Sequence, residues 1–268
     1  MKFTYLGTAA AEGFPAVFCN CEHCNEARKL GGKNIRTRSQ AIIGDDLLID
    51  LPADTYMHFL QNNILGHMIK NVLITHPHSD HFYPSELVMR QDPFAHNMQH
   101  NELNVYCGNM AYEELKNIKC INVNPVKPFE TFNASGYEIT ALPARHAFGE
   151  DALFYIIKAD KTVLYAHDTG YFYDEVFDYI KEKGLYFDMI SLDCTNVDIT
   201  ISDSGTHMGI DNIERVTKRL AELSAINENT IKYINHFSHN ANPIHHILEE
   251  RVKDLGFKVS FDGLKVEI

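Results

Sequence analysis

No run of about 18 apolar residues occurs in this 268-residue sequence, and no basic segment leads into an apolar stretch at its start. Both absences point away from a membrane span or a secretory leader, so a soluble, cytoplasmic protein is expected. Positive charge is also short: 24 Lys and Arg stand against 36 Asp and Glu, a formal charge of −12. Phosphate backbones call for clustered cations, which argues against a broad nucleic-acid surface. A small phosphorylated substrate stays open, because a bound metal supplies local positive charge whatever the net charge. The sequence lacks a P-loop and a dinucleotide fingerprint; Gly7 to Gly13 is only a small-residue turn. Repeats, linkers and low-complexity tracts are missing too. With 45% hydrophobic residues the core can be large, and residues 1–268 read as one domain.

What is present is an alternation of short apolar runs and amphipathic segments, the pattern of an α/β protein. Strands are expected at Lys2 to Leu6, Asn71 to Thr75, Leu103 to Cys107, Ile121 to Val123, Tyr137 to Leu142, Leu153 to Lys158, Thr162 to Ala166, Met189 to Leu192 and Ile231 to Asn235. Hairpins are expected around Asp45-Asp46, joining Ala41 to Gly44 with Leu47 to Asp50, and around Asp262-Gly263, joining Val259 to Phe261 with Leu264 to Glu267. Helices are expected from Pro52 to Asn62, Ser85 to Gln91, Met110 to Lys116, Tyr173 to Lys183, Gly209 to Leu223 and Pro243 to Leu255. Glu26 to Arg38 reads as a polar surface segment, and Asp193 to Thr206 as a long lid-like loop.

The chemistry is concentrated in Thr75-His-Pro-His-Ser-Asp-His81. Residues two apart on extended backbone project to the same side, so His76 and His78 reach one point. As the chain turns, Asp80 and His81 face a second point nearby. Three imidazoles and a carboxylate within six residues are metal-ligand chemistry, and far denser than packing requires. His76, Asp168 and His236 each fall at or just beyond the end of an expected strand. His146 alone reads equally as an exposed loop histidine, and Asp168 as a turn residue. His167, His245 and His246 are expected to pack or to face solvent. Asp50, at a strand end, is read as a helix cap or a partner of a ligand histidine.

Six cysteines, three of them at Cys19, Cys21 and Cys24, suit metal ligation better than a disulfide framework. Buried free thiols are the alternative. A closed zinc site needs a fourth ligand, and His239, three residues beyond His236, is the candidate. Arg145 can hold a phosphate oxygen with its fork of donors or lie solvated beside His146.

The His-x-His-x-Asp-His motif, followed by His146, Asp168 and His236 in order, resembles the signature of the metallo-β-lactamase superfamily. That resemblance covers most of the chain. It implies an αββα sandwich of two mixed β-sheets flanked by helices, with metals at the sheet edges. It further implies one ion held by His76, His78 and His146, a second by Asp80, His81 and His236, and Asp168 as bridge. The Cys-x-Cys-x-x-Cys segment paired with His236-Phe-Ser-His239 is similar to the phosphoribosyl cyclic phosphate phosphodiesterases of phosphonate breakdown, where a structural zinc joins the two. The opening Leu6-Gly-Thr-Ala-Ala-Ala-Glu-Gly-Phe-Pro15 is similar to the PQQ-biosynthesis B proteins. The first resemblance gives His207 the part of general acid; otherwise it is a histidine at a helix start. A homodimer is implied by analogy alone.

These readings favour a dinuclear hydrolase of a small phosphate ester, cyclic esters included, with zinc or manganese at the active site and one structural zinc. Asp80, His207 and Arg145 are its catalytic candidates. The alternatives are hydrolysis of a lactone, thioester or lactam carbonyl, a non-hydrolytic iron protein like the PQQ-biosynthesis branch, and a binding module that has lost turnover.

Overall fold

The structure is a computed structural model describing residues 1–100, 102–147 and 151–268. Two seven-stranded sheets lie face to face. The first is built from β1 (Lys2–Gly7), β2 (Gln40–Ile43), β3 (Leu47–Ile49), β4 (Asn71–Leu73), β5 (Asn104–Cys107) and β6 (Asn122–Pro125). The second takes β7 (Thr131–Ala134), β8 (Tyr137–Pro143), β9 (Leu153–Lys158), β10 (Thr162–Ala166), β11 (Met189–Asp193), β12 (Ile231–Asn235) and β13 (Lys258–Val259). The last strand, β14 (Lys265–Glu267), returns to the first sheet beside β1. Strands β3 to β6 run parallel, as do β10 to β13, while the remaining pairs are antiparallel. Both sheets are therefore mixed.

Side-chain alternation sorts each strand between two cores. Along β10, Val163 and Tyr165 enter the layer between the sheets with Phe3, Tyr5 and Ile49. Their neighbours Leu164 and Ala166 face outward onto α5 (Asp174–Glu182), α6 (Ile210–Glu222) and α7 (His245–Val252). A strand buried on both faces must be apolar nearly throughout, as β10 and β11 are. In α6, Ile213, Val216 and Leu220 recur at helical spacing and are all buried, which fixes the face turned to the sheet. On the first sheet, α2 (Thr55–Asn62), α3 (Ser85–Val88) and α4 (Asn109–Leu115) cover the outer side. This is the αββα sandwich of two mixed sheets.

Four expectations are corrected. Val259 to Glu267 is not a hairpin: β13 pairs with β12 in one sheet and β14 with β1 in the other. The Asp262-Gly263 turn instead crosses between sheets, pinned where the half-buried Asp262 carboxylate accepts from Thr8 Oγ1 and from Thr37 N and Oγ1. Glu26 to Arg38 is not simply a polar surface, since α1 (Glu22–Leu30) buries Cys24 and Ala27 and Arg36 is only 2% exposed. Arg36 stays charged inside by donating to Thr8 Oγ1 and the Ser260 carbonyl and by stacking over Phe237. The helix after Ser85 is one turn, because Met89, Arg90 and Gln91 shift to i→i−3 bonds. Strand β7, absent from the sequence reading, pairs with β8 across Ser135-Gly136, both at positive φ.

Candidate metal centre

Strand ends deliver the side chains. Asp50 follows β3, His76 lies just beyond β4, and His146 lies beyond β8. Asp168, Asp193 and His236 stand at or after the ends of β10, β11 and β12, three neighbours in one parallel block. Asp50, Asp168 and His236 all adopt positive φ (64°, 49° and 65°). Such backbone is costly for residues with a Cβ and persists where surrounding structure imposes it.

The side chains fall into two groups that share a border. His76, His78 and His146 form one: His78 Nδ1 is 3.0 Å from both His76 Nε2 and His146 Nε2. Asp80, His81, Asp168 and His236 form the other and are all buried. There, Asp168 Oδ2 sits 2.9 Å from Nε2 of both His81 and His236, and Asp80 Oδ2 lies 3.3 Å from His81 Nε2. The second oxygen, Asp168 Oδ1, points toward the first group, 3.9 Å from His146 Nε2.

Whether cations fit can be judged from the protons. Four of the imidazoles are held from behind through Nδ1. His76 donates to Thr75 Oγ1 (3.0 Å), His81 to Asp50 Oδ2 (2.7 Å), His146 to the Thr206 carbonyl (3.4 Å) and His236 to Thr195 Oγ1 (2.8 Å). In the neutral rings this turns the Nε2 lone pairs inward. Asp168 Oδ2, buried, accepts no hydrogen bond from any described residue although two Nε2 atoms are within 2.9 Å. Lone pairs and a carboxylate oxygen converging in this way repel unless a proton or cation lies between them. Left without metal, burial opposes charge on His81, yet Asp168, Asp50 and Asp80 raise its pKa well above the usual value. The pocket thus has the electrostatics and the donor set of a divalent-cation site.

Asp193 and Thr195 complete the support, and neither was singled out from sequence. The fully buried Asp193 carboxylate accepts from Thr195 N and Met208 N on Oδ1, and from Asp168 N and His207 Nδ1, each at 3.0 Å, on Oδ2. Asp193 is therefore the last residue of a strand and not part of a lid. Thr195 Oγ1 donates to the His236 carbonyl while accepting from its Nδ1, which fixes both ring and tautomer. The available signal was position: Asp193 ends the strand lying between those that deliver Asp168 and His236.

His207 lines the same pocket, its ring 5.0 Å from that of His146 and stacked on His236 at 5.6 Å. Burial disfavours its charge, but Asp193 outweighs that and lifts its pKa to about 9. Arg145 is differently placed. Its Nε donates to the Tyr171 carbonyl and its guanidinium lies 3.9 Å over the Tyr173 ring, which makes it a clamp between loops. His167 is buried between Ser191 Oγ and Asn235, and His245 between Arg36 and Glu249, as packing histidines.

A separate cluster lies at the start of α1. The ligand atoms of Cys19, Cys21, Cys24 and His239 are mutually within 4.8 Å. His239 Nδ1 is 3.6 Å from the sulfurs of Cys21 and Cys24, close to the ~3.5 Å separation that tetrahedral zinc with ~2.3 Å Zn–S and ~2.0 Å Zn–N bonds gives. The hydrogen bond to His239, then the Cys24 amide, lowers the Cys21 pKa to about 6. All six cysteines are unpaired thiols.

The fold and the two ligand groups at its strand ends define a metallo-β-lactamase-type sandwich. The chain belongs to the beta-lactamase superfamily domain family, whose model matches residues 51–236. It is 24% identical to coenzyme PQQ synthesis protein B of Acinetobacter baumannii (strain ACICU) over 324 aligned positions, covering all of both chains. Among solved structures, a new diphosphatase from the PhnP family superposes with a TM-score of 0.75 at 21% identity, over 100% of this chain and 97% of the other. Zinc-bound PqqB from Methylobacterium extorquens gives a TM-score of 0.76 at 17% identity over the whole of both. No helix among the described residues is long and apolar enough to cross a membrane.

Proposed function

We propose that this protein is a dinuclear metal-dependent phosphodiesterase acting on a small phosphate ester, cyclic esters included. The observation that carries the proposal is Asp168, whose two oxygens face two separate ligand groups across one carboxylate. In this reading His76, His78 and His146 hold one ion, Asp80, His81 and His236 the other, and Asp168 both; Cys19, Cys21, Cys24 and His239 hold a structural zinc. Two divalent ions, zinc or manganese, supply an activated water and charge to stabilise the phosphoryl oxygens.

The chain's own residues do the rest. Asp50, Thr75, Thr195 and Thr206 keep the imidazoles in the tautomer that presents Nε2. His207 donates Nδ1–H to Asp193, so the second proton of its imidazolium sits on Nε2, at the ring edge away from Asp193. That proton goes to the departing alkoxide. Arg145 holds the loop of His146 against Tyr171 and Tyr173 and is assigned a positioning role.

The test is turnover of bis-p-nitrophenyl phosphate and of cyclic phosphates by protein loaded with zinc or manganese. Fully loaded protein that cleaves none of them refutes the proposal. A second reading, a non-hydrolytic role like that of the PQQ-synthesis relative, draws support from the full-length match to that protein. Oxygen consumption by iron-loaded protein without ester cleavage would favour it.

A further inference from the structure

Three segments of the pocket wall meet at Gly170, two residues beyond Asp168. On one side Gly170 N donates to the Arg145 carbonyl (2.8 Å) and Arg145 N to Thr169 Oγ1 (2.9 Å), which laces the segment of Asp168 to that of His146. On the other, the Gly205 carbonyl comes down on the glycine, so close that a Cβ built at position 170 would stand 1.8 Å from its oxygen. A glycine kept for its turn would show positive φ, and Gly170 does not. Its neighbour is backbone, which cannot swing aside as a side chain can.

The segment that rests on Gly170 carries two groups of the pocket. The Thr206 carbonyl accepts from His146 Nδ1 at 3.4 Å, and the next residue is His207, with its Nδ1 on Asp193. Arg215 seats the same segment from outside: its guanidinium donates to Asp203 Oδ2 (2.7 Å) and lies 4.6 Å over the ring of Tyr171, the residue after Gly170. We propose that Gly170 is a positioning residue for His146 and His207, acting through the Gly205 carbonyl that only a glycine admits. For His207 the inference rests on its reading as general acid.

Which side yields to a larger residue follows from burial. The segment of Gly170 is fixed, because Asp168 N is bonded to Asp193 and Phe172 is buried. Ser202, Asp203, Ser204 and Thr206 are exposed. A side chain at position 170 therefore lifts residues 202–206 by on the order of 1.5 to 2 Å, the shortfall from ordinary van der Waals contact. Thr206 O, already at the limit of a hydrogen bond, then leaves His146. His207 is pulled askew as well, since the peptide before it moves while the Met208 amide after it stays bonded to Asp193.

The test is Gly170→Ala in the full-length protein. Competition with a chelator should show zinc or manganese held about 10- to 100-fold more weakly, as loss of the partner behind a ligand histidine does. With metal saturating, kcat on an alkyl ester should fall about 10²-fold at unchanged KM, the cost of misplacing a reacting group by an ångström or so. The p-nitrophenyl ester, whose leaving group needs no proton, should lose under about tenfold. Val216→Ala, which hollows the core under α6, should lower the melting temperature and leave both the metal affinity and the ratio of the two rates as in the parent. Where Gly170→Ala does not fold, Asp203→Ala decides: it breaks an exposed ion pair, frees the same segment from Arg215, and should move affinity and ratio in the same direction. A folded Gly170→Ala that binds metal as the parent does, or loses equally on both esters, overturns the proposal, as does an Asp203→Ala that moves neither in place of an unfolded Gly170→Ala. Equal losses on the two esters in His207→Ala would instead remove the acid reading, and metal affinity alone would then judge Gly170.

Discussion

Asp193→Asn isolates what the proposed reaction needs from a residue that touches no substrate. Each carboxylate oxygen of Asp193 accepts from two donors: Thr195 N and Met208 N on one, Asp168 N and His207 Nδ1 on the other. An asparagine keeps one oxygen, and its amide nitrogen must then face two N–H donors. Two hydrogen bonds are lost around a carboxylate that is fully buried, and leaving buried donors unmet costs about 1–3 kcal/mol each. The sum, about 2–6 kcal/mol, corresponds to a melting temperature lower by roughly 10 °C for a chain of this size. The catalytic effect should be selective. A p-nitrophenolate leaves without a proton, whereas an alkoxide needs the one His207 carries. The variant, shown to be folded and fully metal-loaded at 25 °C, should lose about 10²- to 10⁴-fold in kcat on an alkyl ester and under about tenfold on the p-nitrophenyl ester. Equal losses on both substrates would refute the reasoning, since they would show that Asp193 only holds the site together. An unchanged melting temperature would refute the hydrogen-bond argument as well.

His76→Ala should abolish ester cleavage and remove one ion per chain while circular dichroism stays native. Thr195→Val should weaken metal binding about 10- to 100-fold, measured by competition with a chelator, and Thr195→Ser should restore most of it because the hydroxyl is what anchors His236. Cys21→Ser should lower the melting temperature and the zinc content while sparing part of the activity; an unchanged zinc count would dismiss the structural site. Burial raises the Asp262 pKa from 3.8 to about 6 against its bonds from Thr37 and Thr8 and the charge of Arg36. A folded pKa above the unfolded one means the fold binds the proton more tightly. This group's stabilisation is thus full below about pH 4 and lost as pH rises to about 6, a change of about 3 kcal/mol. Urea unfolding of Asp262→Asn should lack that slope relative to the parent between pH 4 and 6.

The legible part of the site was the local part. His76, His78, Asp80 and His81 are bound to one another by backbone geometry over six residues, so their spacing alone carries the chemistry. The cysteine triplet is legible for the same reason. Asp168 and His236 stood out only as residues at strand ends, and His146 less than that; their grouping into two ligand sets came through family resemblance, because what unites them is a sheet edge. Asp193 and Thr195 escaped because their importance lies in partners 14 to 41 residues away, and an Asp followed by Cys-Thr has no distinctive pattern. The Asp262-Gly263 turn misled for a related reason. A turn signal says that the chain reverses, not which sheet receives the next strand, and here each sheet had an edge to fill. Arg36 misled because composition counts a charge as exposed, whereas inside the fold its terminal NH groups donate to Thr8 Oγ1 and the Ser260 carbonyl and its plane lies over Phe237.

Strand direction explains why these residues meet at all. Parallel neighbours end on the same edge of a sheet, so the residue following each strand arrives at the same place. β10, β11 and β12 pair in parallel register, Ala166 with Leu192 and Asp193 with Asn235, which sets Asp168, Asp193 and His236 side by side. In the first sheet β3 and β4 do the same for Asp50 and His76. β8 is antiparallel to β9, and β9 to β10, so β8 points the same way as β10 and brings His146 to the shared edge. β9 runs the other way, and its terminal Lys158 lies at the far edge, where it pairs with Glu138 at the start of β8. The ligands therefore come from the strands that point one way in two facing sheets. A shift of one residue between β10 and β11 would carry Asp193 away from the amide of Asp168 and uncouple His207 from Asp168 together with it.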